Sequence, residues 1–151
     1  MGENGDDTVT TYEDLIAEAD RDYADGRYKE AHITYGRAVS VGRARNDYCR
    51  RMRGICSRVI AEQRLAKADE EPDFRQDFLD QAARWLAKSE ANLSSAFDES
   101  PESELGNIRL EQAKTEEAIA RFMEMCGGNP QRRLSVARAF REEAVARLGS
   151  A

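Results

Sequence analysis

Residues that commonly carry chemistry are scarce in this chain of 151 residues, which has one histidine, three cysteines and three prolines. The single histidine, His32, sits between Ala31 and Ile33 on what reads as the outer helix of a hairpin. It is expected to be a surface residue rather than a base. No CxxC, HxxxH or ExxH spacing is present, so neither a metal site nor a cofactor is expected. Cys49 and Cys56 lie seven apart beside Met52 and Ile55, which is core spacing, and Cys126, just before Gly127 and Gly128, is expected to be exposed and oxidisable. An odd number of cysteines without close pairing suits a reducing compartment. The glycines are scattered and form no phosphate loop. No apolar run approaches the ~20 residues of a membrane span, and the N-terminus is acidic where a signal peptide would be basic and then apolar. A cytoplasmic protein without enzymatic activity is the expectation. Adjacent carboxylates such as Glu70-Glu71, Asp98-Glu99, Glu116-Glu117 and Glu142-Glu143 point ~100° apart on a helix and read as solvated faces.

What the chain does hold is helix-forming sequence. Charged residues make up 34% and hydrophobic ones 40%, with abundant Ala, Glu, Arg and Leu, which predicts an all-α protein. Residues 1–9 read as a disordered acidic tail and 10–149 as one helical domain. Thr10 with Glu13 fits a capping box, so the first helix is predicted to begin near Thr11. Asn46-Asp47 starts a long helix to about Ala68, with Tyr48, Met52, Ile55, Val59 and Ala66 on one face. Beyond the break at 69–72, a fourth helix runs from Asp73 to about Phe97, with Phe78, Ala82, Trp85, Leu86, Leu93 and Ala96 inward. Ser100-Pro101-Glu102 supplies a cap and a proline at the first helical position of a fifth helix to Cys126. Gly127-Gly128 stops it. A sixth helix from Pro130 to about Leu148 is predicted to bury Leu134, Ala137, Phe140, Ala144 and Val145. About six helices in three antiparallel hairpins result.

The first hairpin is the most specific. Small Ala19, Ala31 and Ala38 allow close helix approach, Tyr23, Tyr28 and Tyr35 fill the adjoining space, and Gly26 can take positive φ to end the first helix. Leu15, Ala19 and Tyr23, the turn Ala24-Asp25-Gly26-Arg27, and then Tyr28, Ala31, Ile33, Tyr35, Ala38 and Val39 resemble a tetratricopeptide repeat (TPR). The signature covers about 30 residues, and 34 residues further on the positions read Ile60, Glu62, Leu65, Asp69 and Pro72, so it does not recur. A single hairpin of this kind also looks like the start of a microtubule-interacting-and-transport domain. Either resemblance implies a module that binds a peptide or helix of another protein, built as a TPR-like superhelix or a closed helical bundle.

The TPR resemblance further implies that the first helix of each pair lines a groove. The groove candidates are Glu13, Ile16, Asp20 and Tyr23 from the first helix, and Arg50, Ser57 and Arg58 from the third. The carboxylate clamp of chaperone-binding members is not matched, since Ile16, Asp20 and Gly54 occupy that surface.

Charge is blocked along the chain. Residues 1–36 carry a net −7, 37–67 +7, 68–125 −9 and 126–151 +3, within a total of −6. Pairing between neighbouring helices explains the blocks, each exposed pair adding at most ~1 kcal/mol. An acidic or amphipathic segment of another protein is the expected partner. Self-association through the same blocks is the alternative. Nucleic-acid binding along Arg43, Arg45, Arg50, Arg51, Arg53, Arg58 and Arg64 is the third, disfavoured by the negative total and by Tyr48, Phe74 and Trp85, which read as packing aromatics.

Overall fold

The computed structural model describes residues 11–41 and 46–149. The acidic tail at 1–9, Thr10, Gly42, Arg43 and Arg45 lie outside the described residues. Among the described residues six α-helices follow one another: α1 Tyr12–Ala24, α2 Tyr28–Val41, α3 Asn46–Glu70, α4 Arg75–Glu99, α5 Glu102–Met125 and α6 Gln131–Gly149. A single 3-10 turn, Pro72–Phe74, precedes α4. No strand occurs among the described residues, and the fold is all-α.

Local chemistry sets the ends of these helices. The capping box is one residue later than predicted: Thr11 Oγ1 accepts from the Asp14 amide, and the Thr11 amide donates to Asp14 Oδ2, both at 3.1 Å. Gly26 (φ 81°) and Gly127 (φ 83°) both take the left-handed conformation. Each closes the same motif. The amides of Arg27 and Gly128 reach back to the carbonyls of Asp22 and Met123, at 2.8 and 2.7 Å, satisfying groups a helix end leaves open. Pro101 occupies the cap position of α5 rather than the first helical one, and Ser100 Oγ donates to Asp47 Oδ2 of α3 (3.3 Å) instead of capping α5.

Short turns join α3 to α4 and α5 to α6, and their contacts show both pairs to be antiparallel. In α3 and α4, Asp47 meets Ser100, Arg50 meets Glu99 and Gly54 meets Leu93. In α5 and α6, Glu102 meets Arg147 and Arg109 meets Glu143. First helices run parallel to first helices, with Arg51 and Arg58 of α3 reaching Glu104 and Glu111 of α5. Between second helices, His32 of α2 lies edge-on to Trp85 of α4. Each hairpin therefore lies on the next in a stack.

The core has two apolar clusters along α3. The first joins α1 and α2 to the N-terminal half of α3 through Leu15, Ile16, Ala19, Ala31, Tyr35, Ala38, Cys49, Met52 and Cys56. Ala19, Ala31 and Ala38 are fully covered, as the tight seam requires. The second joins Ala61, Leu65 and Ala68 of α3 to Leu79, Ala82 and Leu86 of α4 and to Ala118 and Ile119 of α5.

Between the clusters α3 is enclosed on nearly all sides, every residue from Gly54 to Arg58 being buried. There Ser89 Oγ of α4 donates to the Gly54 carbonyl (2.8 Å) and lies 2.9 Å from Thr115 Oγ1 of α5. A hydroxyl has one proton, so Thr115 donates to Ser89.

Helix α6 departs from expectation. Only Ala137 and Ala144 are buried, Val145 is 72% exposed, and Leu134 and Phe140 are half-buried. Charged groups supply much of its attachment. Arg109 of α5 lies over Phe97 (3.7 Å) and Phe140 (4.7 Å) and bonds Glu143 at 2.9 Å, while Arg141 forks onto Glu117 at 2.7 and 2.8 Å. Leu148 packs against the bare backbone of Gly106, where an added Cβ would meet its Cγ at 2.9 Å.

A Cβ at Gly54 would come within 2.6 Å of Leu93 Cγ, and Leu93 is fully buried. Overpacking of this kind costs about 1–3 kcal/mol, against about 1 kcal/mol gained from removing a mid-helix glycine. Gly54→Ala is expected to lower stability by up to about 2 kcal/mol in urea unfolding, and a stabilised variant would show that α3 and α4 can part without cost.

Candidate functional site

The seven groove candidates are divided by the fold. Ile16 is 2% exposed within the first apolar cluster, and Ser57 is fully buried with its hydroxyl on the Arg53 carbonyl at 2.8 Å. Neither presents a side chain to a partner. Asp20 joins helices, its Oδ1 accepting from the hydroxyls of Tyr35 on α2 and Tyr48 on α3, the latter at 2.7 Å. Burial and this bond push the Tyr35 hydroxyl far above its usual range, so it remains a donor. Tyr23 is half-buried, edge-on to Tyr28 at 5.5 Å. Arg58 is buried and bonds Glu111 of α5 (2.7 Å) as well as Glu62 (3.3 Å). Arg50 lies 3.0 Å from Glu99 on α4. Of the set, Glu13 alone is classed as exposed.

Part of the basic block is therefore occupied within the molecule. Arg50, Arg51 and Arg58 each meet a carboxylate of the acidic block that follows, at 2.7–3.0 Å. Across α5 the pattern continues: Glu116, expected on a solvated face, is 5% exposed and holds Arg133 at 2.8 Å. Burial raises the Glu116 carboxyl, opposed by Arg133. On the first-helix side two small cavities of ≈ 390 and 320 Å³ are rimmed by these same groups, Arg58, Glu62 and Glu117 in one and Arg51, Glu104 and Glu111 in the other.

The opposite side is different in kind. A cleft of ≈ 590 Å³ opens between α2, α3 and α4, lined by Lys29, His32, Ile33, Gly36, Arg37, Ser40, Arg53, Trp85 and Lys88. It carries four cations and no carboxylate. Among the described residues none of these cations forms an ion pair. Gly36 has a structural reason to be glycine: a Cβ there would meet Arg53 Cζ and Nε at 3.3 Å, so the guanidinium lies across bare α2 backbone. Lys88 stacks its ammonium over Trp85 at 4.6 Å, and Ile33 is 56% exposed at the rim.

His32 contradicts its predicted placement. It is 5% exposed, edge-on to Trp85 at 5.2 Å, with Nε2 buried and without a hydrogen-bond partner. Burial, together with the charges of Arg53 and Lys88, lowers its pKa to about 4. Desolvation and Arg50 likewise lower Arg53. Trp85 and Lys88 lie more than fifty positions from His32, and no spacing within α2 signals that neighbourhood. The exposed Ile33 was the available hint, an apolar residue on the solvent side of a short helix.

Cys49 and Cys56 are buried as predicted, and burial pushes the Cys56 thiol up to about 12, while Cys126 is exposed. Phe74, expected in the core, is 55% exposed. It lies on the 3-10 turn, whose residues are all outside the core. Among the described residues no three His, Cys, Asp or Glu side chains gather as a metal site would require, and no helix is long and apolar enough to cross a membrane. Comparison with protein-family models, with curated proteins and with solved structures gave no match.

Two stability predictions separate structural from binding roles. Asp20→Ala leaves the buried Tyr35 hydroxyl without its acceptor and is expected to cost about 2–3 kcal/mol in urea unfolding, whereas an exposed groove acid would change stability by less than about 0.5 kcal/mol. For His32 the folded pKa lies below the unfolded one of 6.5, so between these values the unfolded chain binds more protons. Its contribution is present above about pH 6.5 and is lost as pH falls to about 4. His32→Gln should flatten the stability profile over that window by about 3 kcal/mol relative to the parent, read from urea midpoints at successive pH values. Parallel profiles would show that His32 is not buried in its neutral form.

Proposed function

We propose that this protein is a non-catalytic interaction module of TPR-like helical hairpins that holds an acidic or amphipathic segment of another protein. The observation that carries this reading is the cleft between α2, α3 and α4, with four cations, no carboxylate and an exposed isoleucine, in a chain of net charge −6. Elsewhere Arg50, Arg51 and Arg58 of the basic block are engaged by carboxylates of the same chain, so an acidic ligand meets less internal competition here. Trp85 and Ile33 add apolar area, and aromatic residues at the centre of a contact contribute disproportionately to affinity. The likeness of Leu15 to Val39 to a TPR hairpin supports the same class. The recognition surface moves, however, from the first-helix groove to the second-helix side. Cationic clefts attract acidic segments through long-range fields as well as contacts, which makes association salt-dependent. A cytoplasmic setting fits the three unbridged cysteines.

The test is capture from nuclease-treated lysate with the tagged protein, in parallel with two variants. Lys29→Glu combined with Arg37→Glu changes exposed cleft residues and is expected to reduce retained partner at least tenfold without altering helicity. Glu13→Lys, on α1 away from the cleft, is expected to retain it. Loss of binding with Glu13→Lys and retention with the double variant would return the site to the α1 and α3 groove.

A further inference from the structure

Within the cleft the cations are arranged around a common space. Arg53 rises from α3 and lies across α2 at Gly36, Lys88 comes from α4 over the face of Trp85, and Lys29 and Arg37 stand one above the other's flank on exposed positions of α2. Three helices thus line one cleft with positive charge. Like charges held together without a counter-ion repel, and here the cost is compounded by burial: Arg53 Nε is covered and has no hydrogen-bond partner, as is His32 Nε2 beside it. Gly36 gives the guanidinium room, since a Cβ there would lie 3.3 Å from it and push it outward by a few tenths of an ångström. A planar carboxylate is satisfied by one forked arginine. Donors arriving from several sides match a tetrahedral group carrying more than one negative charge.

We propose that the α2, α3 and α4 cleft is a seat for a tetrahedral phosphate-type oxyanion, held by Arg53 and Lys88 with Lys29 and Arg37 at its rim. Delivered on a phosphorylated side chain, such an anion is the part of the partner segment that the cleft reads, and this extension rests on the interaction function proposed above. His32 lies beneath the seat as a positioning and reporting residue. Its imidazole feels the charges of Arg53 from α3 and Lys88 from α4, Lys29 and Arg37 of its own helix line the same cleft, and no carboxylate lines the space. Burial first, and then the charges of Arg53 and Lys88, hold His32 neutral. An anion offsets those charges, so anion binding and proton uptake favour each other reciprocally.

The chain has one tryptophan and one histidine, and both belong to this cleft, so each is a site-specific probe in the intact protein. Trp85 fluorescence at pH 7 would be titrated with inorganic phosphate, O-phosphoserine and aspartate at matched ionic strength. A saturable response to both phosphate compounds, at least tenfold weaker for aspartate, is expected. Arg53→Gln should weaken it at least tenfold, and Lys88→Gln, at an exposed position that leaves the core intact, should do the same if the Arg53 variant folds poorly. Separately, the His32 ring signal would be titrated by NMR in sulfate, a tetrahedral dianion throughout the range, and in chloride. Its midpoint should rise by at least one pH unit in sulfate, which by linkage is a tenfold gain in anion affinity on protonation.

No saturable response, an equal response to aspartate, or a response unchanged in both variants would overturn the seat. Tighter binding of O-phosphoserine than of inorganic phosphate would identify a modified side chain as the natural source, and the reverse order a free anion, the seat standing in both cases. A phosphate response without any captured protein would remove the interaction reading and leave the seat. Captured protein without a phosphate response would do the opposite.

Discussion

The packing of α4 against the centre of α3 is the constraint on which the rest of the molecule depends. At Gly54 the two helices approach so closely that Leu93 occupies the volume a side chain would take, and the Ser89 hydroxyl reaches the Gly54 carbonyl. Thr115 then donates to Ser89, bringing α5 to the same level. Apolar contacts are permissive about register, because a slip along a helix exchanges one aliphatic group for another. A serine with a single proton and two fixed partners is not permissive, since a slip would leave buried hydroxyls unbonded. This short polar seam fixes how three helices align, and the two apolar clusters on either side follow from it.

With that alignment fixed, charge pairing follows a repeating interval. Arg51 meets Glu104 and Arg58 meets Glu111, partners separated by the same distance in sequence because α3 and α5 run parallel at constant offset. Such pairs contribute little individually where exposed. Arg58 is buried, so removing Glu111 would strand much of its charge, and the pair acts more as a condition on correct stacking than as a source of stability. At the far end of the stack, where α6 offers few buried apolar residues, Arg109 between Phe97 and Phe140 supplies apolar area and charge complementarity together.

Much of the fold was legible because its signals are local. Gly26 and Gly127 mark the two left-handed helix ends, the alanine seam of the first hairpin is read from three positions, and the breaks near 70, 100 and 128 bound every long helix. The site was less legible because its signals are not local. Periodicity identifies a covered face on a helix with one neighbour, but α3 has neighbours on several sides, so Ser57 and Arg58 read as a polar surface and lie inside. His32 is buried by Trp85, and Asp20 is drawn inward by two tyrosines on other helices, and neither relation leaves a trace in its own helix. Helix α6 failed in the opposite sense. Its apolar residues have helical spacing, yet the chain provides no further helix to cover Val145 among the described residues.

The location of the cleft follows from how the charge blocks are spent. Basic residues of α3 that point toward first helices find the carboxylates of α5, because parallel stacking brings the acidic block beside the basic one. Arg53 points the other way, toward second helices, where α2 presents Lys29 and Arg37 and α4 presents Lys88. The same sequence segment is thus neutralised at Arg50, Arg51 and Arg58 and left cationic at Arg53, although its composition is uniform. A net charge or a count of arginines cannot register that difference, since it arises only when helices are assigned sides. The cleft, whose cations form no ion pair among the described residues, has a glycine beneath its arginine and an aromatic ring beneath its lysine, features that organise cations without neutralising them. Charge held in place by packing rather than by a counter-ion is the arrangement a preorganised anion site requires, because the ligand then replaces repulsion with attraction and little conformational freedom is lost on binding.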